Sequence, residues 1–262
     1  MPRRADARSG AADDLAGSRW PARRRHHDGR TGWPGYHDVM AILPDFPAES
    51  GTLLLPGPAG ALEVAVDPPE ADVDARPLVA IVCHPLPTEG GTMHNKVVTM
   101  AARALRESGA TTVRFNFRGT GQSEGAFDNG DGELDDLRAV AAWVRAQRPD
   151  DTLWLAGFSF GAYVSLRAAA ELRPALLISI APPAGRWDFE AITLPTMPWL
   201  VIQGEADEVV EPQAVYDWLE ESGAQAELVR MPDTSHFFHR KLIDLRGAIK
   251  HGVHAYLPAA DG

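Results

Sequence analysis

Residues 153–163 read Leu-Trp-Leu-Ala-Gly-Phe-Ser-Phe-Gly-Ala-Tyr, an apolar run that passes through Gly-x-Ser-x-Gly into a segment with helical spacing. This pattern predicts a buried strand that turns sharply at Ser159 into a helix, which leaves the serine at the tip of the bend. Gly157 and Gly161 carry no Cβ where strand and helix pass each other. Two glycines around a serine also occur by chance, so the surrounding sequence must decide what this turn does.

The flanking sequence alternates between apolar runs and helical patterns. Continuous apolar runs are typical of strands buried on both faces, and a Pro-Gly-rich turn between the first two runs indicates an antiparallel hairpin. The predicted strands are residues 52–55, 62–66, 78–83, 111–117, 152–156, 175–180, 199–203 and 226–231, and the predicted helices are residues 95–107, 133–147, 160–172, 212–221 and 241–254. We therefore predict the α/β class, with a mostly parallel sheet, helices on both faces and an antiparallel hairpin at the N-terminal edge.

The first 39 residues differ in composition from the rest of the chain. They hold eight Arg and five Asp with almost no periodic apolar residues, which predicts a disordered tail before a single domain over residues 40–262. Met40 stands where ordinary composition begins, and we treat translation from this methionine as a hypothesis. An intact mass that matches all 262 residues in the natively produced protein would contradict it.

Charge and cysteine content exclude several classes of function. The net charge of −11 argues against nucleic-acid binding, and no apolar run approaches the ~20 residues of a membrane span. Cys83 is the only cysteine, so there is no intrachain disulfide and no cysteine-based metal site, which fits a cytoplasmic location. We expect Cys83 to be a buried structural residue rather than a nucleophile, and we expect no metal and no cofactor.

Candidate catalytic groups follow the later strands. A serine nucleophile needs a base within hydrogen-bond reach and an acid that orients the base, in the chain order Ser, acid, base. Three acids, Glu205, Asp207 and Glu208, follow the strand at 199–203, and Asp207 is favoured because it precedes an apolar Val-Val pair. His236 follows the last strand and is favoured over His239, which begins the next helical pattern.

An oxyanion intermediate needs two backbone amide donors. Phe160 follows the candidate nucleophile at a helix N-terminus, where the helix dipole also favours negative charge. The second donor should come from the loop after the 78–83 strand. In His-Pro-Leu-Pro, residues 84–87, only Leu86 is placed to donate, because Pro85 and Pro87 have no amide hydrogen.

Three glycines, Gly119, Gly121 and Gly125, follow a strand and have the spacing of a dinucleotide-binding loop. No helical pattern opens on the third glycine, because the loop continues through residues 126–132. We predict that this loop forms a wall of the substrate cleft and does not bind a nucleotide.

These motifs together resemble the α/β-hydrolase superfamily, in particular small lidless bacterial serine hydrolases and predicted esterases. The similar stretches span most of residues 50–256 and are residues 84–87, 90–93, 95–96, 115–119, 121–125, 157–161, 204–210 and 236–239. The resemblance implies an α/β-hydrolase fold, the triad Ser159, Asp207 and His236, and an oxyanion hole at Leu86 and Phe160. It implies no particular substrate.

A short connection replaces the lid of many lipases. Only residues 181–198 separate the strands at 175–180 and 199–203, so we expect a minimal lid over a shallow cleft that suits short-chain carboxylic esters. Candidate substrate-binding residues are His84, Trp187 and Phe189, and for the two aromatic residues pinning the loop to the body is an equal alternative. Amide or thioester hydrolysis on the same triad, and a non-catalytic binding protein with this fold, remain as alternatives to an esterase acting on a small ester.

Overall fold

The computed structural model describes residues 43–260. The predicted disordered tail at residues 1–39 and the proposed start at Met40 lie outside these residues. Eight strands form one sheet: β1 Gly51–Gly57, β2 Gly60–Asp67, β3 Leu78–Cys83, β4 Thr111–Phe115, β5 Thr152–Phe158, β6 Leu176–Ile180, β7 Trp199–Gly204 and β8 Glu227–Met231. Every predicted strand is present.

The sheet has the order β1-β2-β4-β3-β5-β6-β7-β8. The pairs β1–β2 and β2–β4 are antiparallel, and all later pairs are parallel, so the prediction of a parallel sheet entered through an antiparallel hairpin is confirmed. The residues of β3, β6 and β7 are all buried, as continuous apolar runs predict for strands covered on both faces.

Five α-helices cover the two faces: α1 Lys96–Arg106, α2 Asp131–Gln147, α3 Phe160–Leu172, α4 Pro212–Glu221 and α5 Leu242–Val253. Helices α1 and α5 pack against one face of the sheet, and α2, α3 and α4 pack against the other, each in a continuous apolar core. Among the described residues, no helix is both long enough and apolar enough to cross a bilayer.

Strand β4 ends two residues before its apolar pattern does. The pattern predicts a strand to Phe117. The amide of Asn116 still donates to β2, but the amide of Phe117 donates to a side chain. The amide of Asn116 donates to the carbonyl oxygen of Glu63 at 2.9 Å, and that of Phe117 donates to Nε2 of His84 at 3.0 Å. The side chain of His84 thus takes the place of a neighbouring strand, and the chain leaves the sheet at its carboxyl edge.

Candidate active site

Ser159 stands on a strained turn between β5 and α3. Its φ of 52° and ψ of −119° lie where residues with a side chain are rarely found, which is a recurrent feature of functional turns. A Cβ on Gly157 would collide with the backbone of Gly161, and a Cβ on Gly161 would collide with the carbonyl oxygens of Cys83 and His84. The two glycines therefore allow helix, strand and the loop after β3 to meet at the serine.

The structure brings the three predicted triad residues into one chain of hydrogen bonds. Nε2 of His236 lies 3.1 Å from Oγ of Ser159, and Nδ1 of the same ring lies 2.8 Å from Oδ2 of Asp207. All three residues are buried, with Ser159 the most exposed at 8%. The separations match those of a nucleophile, a base and an orienting acid.

Asp207 is held as a carboxylate. Burial favours the neutral form, but the hydrogen bond and charge of His236 and the amides of Val210 and Val209 outweigh it and lower the pKa of the Asp207 carboxyl. These amides donate to Oδ1 at 2.7 and 2.9 Å. The Val-Val pair that favoured Asp207 in the sequence thus binds the carboxylate through its backbone.

Two further side chains orient this site. Sequence reasoning did not single out Gln203, and it named Glu208 only as an alternative to Asp207. Nε2 of Gln203 donates to Oδ2 of Asp207 at 3.1 Å from a fully buried position in β7. Glu208 accepts the backbone amide of His236 at 3.1 Å through Oε2. A polar residue in an otherwise apolar strand is the one signal that could have pointed to Gln203. Glu205 is the third acid of the loop. In the described residues its side chain forms no hydrogen bond with Asp207 or His236.

Two amides lie free near the nucleophile. Phe160 is the first residue of α3, where a helix offers its amide no acceptor. The carbonyl oxygen of Leu86 accepts the amides of Glu89 and Gly91 at 3.1 and 3.0 Å, whereas its own amide donates to no residue within 43–260. The loop after β3 touches Gly161 through the backbone of Cys83 and His84, two residues before Leu86. Leu86 and Phe160 therefore stay the predicted oxyanion donors.

His84 does not line the cleft, which corrects its assignment as a substrate contact. The side chain is fully buried, and both ring nitrogens are occupied because Nε2 accepts the amide of Phe117 while Nδ1–H donates to the carbonyl oxygen of Pro85 at 2.7 Å. Burial lowers the pKa of His84 to about 4, so the ring is neutral. It holds the loop that carries Leu86.

The two candidate aromatic contacts, Trp187 and Phe189, differ in their burial. Phe189 is buried against Trp218 at a ring distance of 4.9 Å and stacks on Tyr163 at 5.5 Å, so it pins the 181–198 connection to the body. Trp187 is half-buried and packs on the rings of Phe160 and Tyr163 at 5.0 and 5.2 Å. Of the pair, Trp187 therefore remains the candidate substrate contact.

The glycine-rich loop after β4 packs beside the elbow. Phe127 of this loop contacts the ring of Phe160 at 5.7 Å, and α2 opens only at Asp131, beyond the third glycine. Gly121 has a φ of 55°, and a Cβ there would collide with the carboxylate of the buried Glu63. All three glycines have a positive φ and so serve turns, and Gly121 also leaves room for the buried acid. The loop lies where a cleft wall is expected.

The other nucleophile in the sequence, Cys83, is buried in β3, and burial raises the pKa of its thiol far above the usual range. The thiol is therefore un-ionised and inaccessible, as expected for a structural cysteine.

Comparison with known proteins identifies the family. The family model described as "alpha/beta hydrolase fold" matches residues 81–188. An uncharacterized protein of Rickettsia prowazekii is 33% identical over 182 residues, which cover 65% of this chain and 76% of that protein.

Two solved structures are similar over most of the chain. An α/β serine hydrolase without lid from Xanthomonas campestris is 73% identical, with a TM-score of 0.81, over 83% of this chain and all of the other. An α/β serine hydrolase homologue from Coxiella burnetii is 44% identical, with a TM-score of 0.77, over 80% of this chain and all of the other. The chain belongs to the α/β-hydrolase superfamily, and within it the chain is similar to serine hydrolases that lack a lid.

Proposed function

We propose that the protein hydrolyses short-chain carboxylic esters through an acyl-serine intermediate. The observation that carries this proposal is the continuous contact from Asp207 through His236 to Ser159, at 2.8 and 3.1 Å. A structural serine on this turn would need neither the strained backbone nor a buried histidine that is itself held by a buried carboxylate. The strain and the burial therefore support a catalytic role over a non-catalytic binding role.

The proposed reaction has two steps. Nε2 of His236 takes the proton of Ser159 as Oγ attacks the ester carbonyl, and the amides of Phe160 and Leu86 stabilise the resulting oxyanion. The alkoxide leaves with the proton from His236, which yields the acyl-serine and an alcohol. Water activated by His236 then attacks the acyl-serine, so the acid is released and Ser159 regains its proton. Asp207 remains ionised and stabilises the imidazolium in both steps.

The short connection between β6 and β7 supports small acyl groups. Residues 181–198 contain no helix or strand, and Phe189 ties them to the body. Such a segment cannot enclose a long acyl chain. The half-buried Trp187 offers a limited apolar surface beside Phe160, which suits an acyl group of a few carbons.

Rates of hydrolysis across p-nitrophenyl esters of increasing chain length test this function. We expect the highest kcat/KM for acetate to butyrate, with an early burst of about one nitrophenol per enzyme where deacylation limits turnover. The matched p-nitroanilides should react far more slowly, since the alternative is amide hydrolysis on the same residues. A maximum at palmitate would contradict the short-chain assignment, and faster cleavage of the anilides would contradict the ester assignment.

A further inference from the structure

A second recess opens next to the candidate base, between the N-terminus of α1 and the loop after β8. Its volume is about 390 Å³, and we refer to it as the basic groove. It combines the apolar side chains of Phe237 and Leu242 with the basic side chains of Lys96, His239 and Arg240, and the fully buried Val97 lies behind them. None of its lining residues is acidic.

Phe237 joins the basic groove to the active site. Its ring meets the ring of His236 edge-on at 4.9 Å and that of Phe158 at 5.9 Å. The side chain is nonetheless 50% exposed, so it presents an apolar surface to a molecule bound in the groove. The groove is thus one residue along the chain from the candidate base, and Phe237 is the ring that the two sites share.

The groove lies on the opposite side of the nucleophile from Trp187. Leu242 packs against the core that α1 and α5 form, whereas Trp187 packs against the core on the other face of the sheet. The candidate nucleophile is thus flanked by an apolar surface on one side and by the basic groove on the other. Two such subsites can accept the two unlike parts of one ester.

The cations of the groove have no internal counter-charge. These cations, Lys96 and Arg240, are exposed, and neither forms an ion pair with a residue in the described part of the chain. Elsewhere on the same face the basic residues are paired, since Arg103, Arg246 and Lys250 all contact Glu107. In a chain with a net charge of −11, an unpaired basic recess beside the nucleophile attracts anions that the rest of the surface repels.

We propose that the basic groove binds an anionic group of the substrate, a carboxylate or phosphate carried on a short apolar spacer. The spacer lies against Phe237 and Leu242, and the anion is held by Lys96 and Arg240 with His239 beside them. This inference rests on the proposed esterase function and names its substrate class, which is esters that keep a negative charge next to the scissile bond. A neutral ester of the same size would leave the cations without a partner.

Two matched pairs of substrates test the proposal. Mono-p-nitrophenyl glutarate against p-nitrophenyl valerate places the charge on the acyl side, and 4-carboxyphenyl butyrate against 4-carbamoylphenyl butyrate places it on the alcohol side. In the full-length protein we expect kcat/KM to favour the charged member of at least one pair by about tenfold, which is the size of one or two exposed charge-assisted contacts. The preference should fall as ionic strength rises.

The double variant Lys96→Gln and Arg240→Gln should remove this preference, mainly through KM. Arg173→Gln is the matched control, because Arg173 is an exposed cation without an ion pair in the described residues, and it lies at the far end of α3. The control should keep the preference. If the double variant does not fold, as judged by its thermal midpoint, Arg240→Gln alone should reduce the preference.

The proposal is overturned if neither pair shows a preference, or if the preference survives in the folded variants. Failure of the esterase function itself looks different, because neither the charged nor the neutral member of either pair would then be hydrolysed, whereas failure of this proposal alone leaves both members hydrolysed at similar rates.

Discussion

Single buried polar side chains hold the candidate catalytic groups in place. Gln203 binds the carboxylate of Asp207 from within β7, and His84 joins the loop of Leu86 to the backbone of Phe117. Each residue sits in an apolar environment where an unmade hydrogen bond is costly, so each position is sharply defined. Neither touches the space where a substrate would bind, and we regard both as positioning residues.

Stability should depend on pH through His84. The pKa of this ring is lowered from 6.5 to about 4 in the folded protein, so the unfolded chain binds more protons between these values. The free energy of unfolding should be largest above pH 6.5 and should fall by about 3 kcal/mol as the pH drops towards 4, through this residue alone.

Urea unfolding at several pH values measures this effect. His84→Asn should flatten the slope between pH 4 and 6.5, whereas His254→Gln, at an exposed position, should leave it unchanged. An unchanged slope in a folded His84 variant would mean that the ring is already protonated in the native state.

Gln203→Leu should lower kcat about tenfold, because it removes one hydrogen bond to an ionised group that orients the base. KM should change little, since Gln203 lies in the sheet and not in the cleft. Steady-state kinetics on a p-nitrophenyl ester measure both values. A rise in KM with kcat unchanged would show that Gln203 shapes the cleft and does not act through Asp207.

At the scale of elements, close approach of backbone segments builds the elbow. Helix α3 begins where β5 ends, and the loop after β3 runs directly against Gly161. The strand and helix patterns predicted these elements because doubly buried strands and amphipathic helices leave clear periodicities. The ends of elements were harder to predict. Strand β4 shows why: the amide of Phe117 donates to the side chain of His84, from the loop after β3, and not to a neighbouring strand.

Two Gly→Ala substitutions distinguish the steric cost of close backbone approach from the gain in helix propensity. Gly161→Ala should lower the free energy of unfolding by about 2 to 3 kcal/mol, because its Cβ meets backbone oxygens that cannot move aside. Gly247→Ala, in the exposed middle of α5 with nothing near the new Cβ, should raise it by about 0.5 to 1 kcal/mol. Chemical denaturation of both variants measures the two changes. Equal effects of the same sign would contradict the packing described for the elbow.

At the scale of the whole molecule, the parallel sheet gathers residues that are far apart in the chain. Ser159 and His236 are 77 positions apart, and their strands end at the same edge. Chain order and the carboxyl-edge rule therefore predicted the loops that carry the candidate triad, and the Val-Val pair favoured Asp207 over the neighbouring acids. Gln203, Glu208 and the basic groove were not predictable in this way, since each depends on which side chains of separate loops face each other.

Labelling by a fluorophosphonate probe tests the central claim most directly, because the probe reacts only with a serine that a base has activated. We expect the full-length protein to be labelled once, on the peptide that contains Ser159, and Ser159→Ala to abolish the label. Asp207→Asn should slow labelling by at least about a hundredfold, because the histidine loses the carboxylate that orients it, and Glu205→Gln should not. A folded wild-type protein that takes no label, or label that persists in Ser159→Ala, would contradict the account.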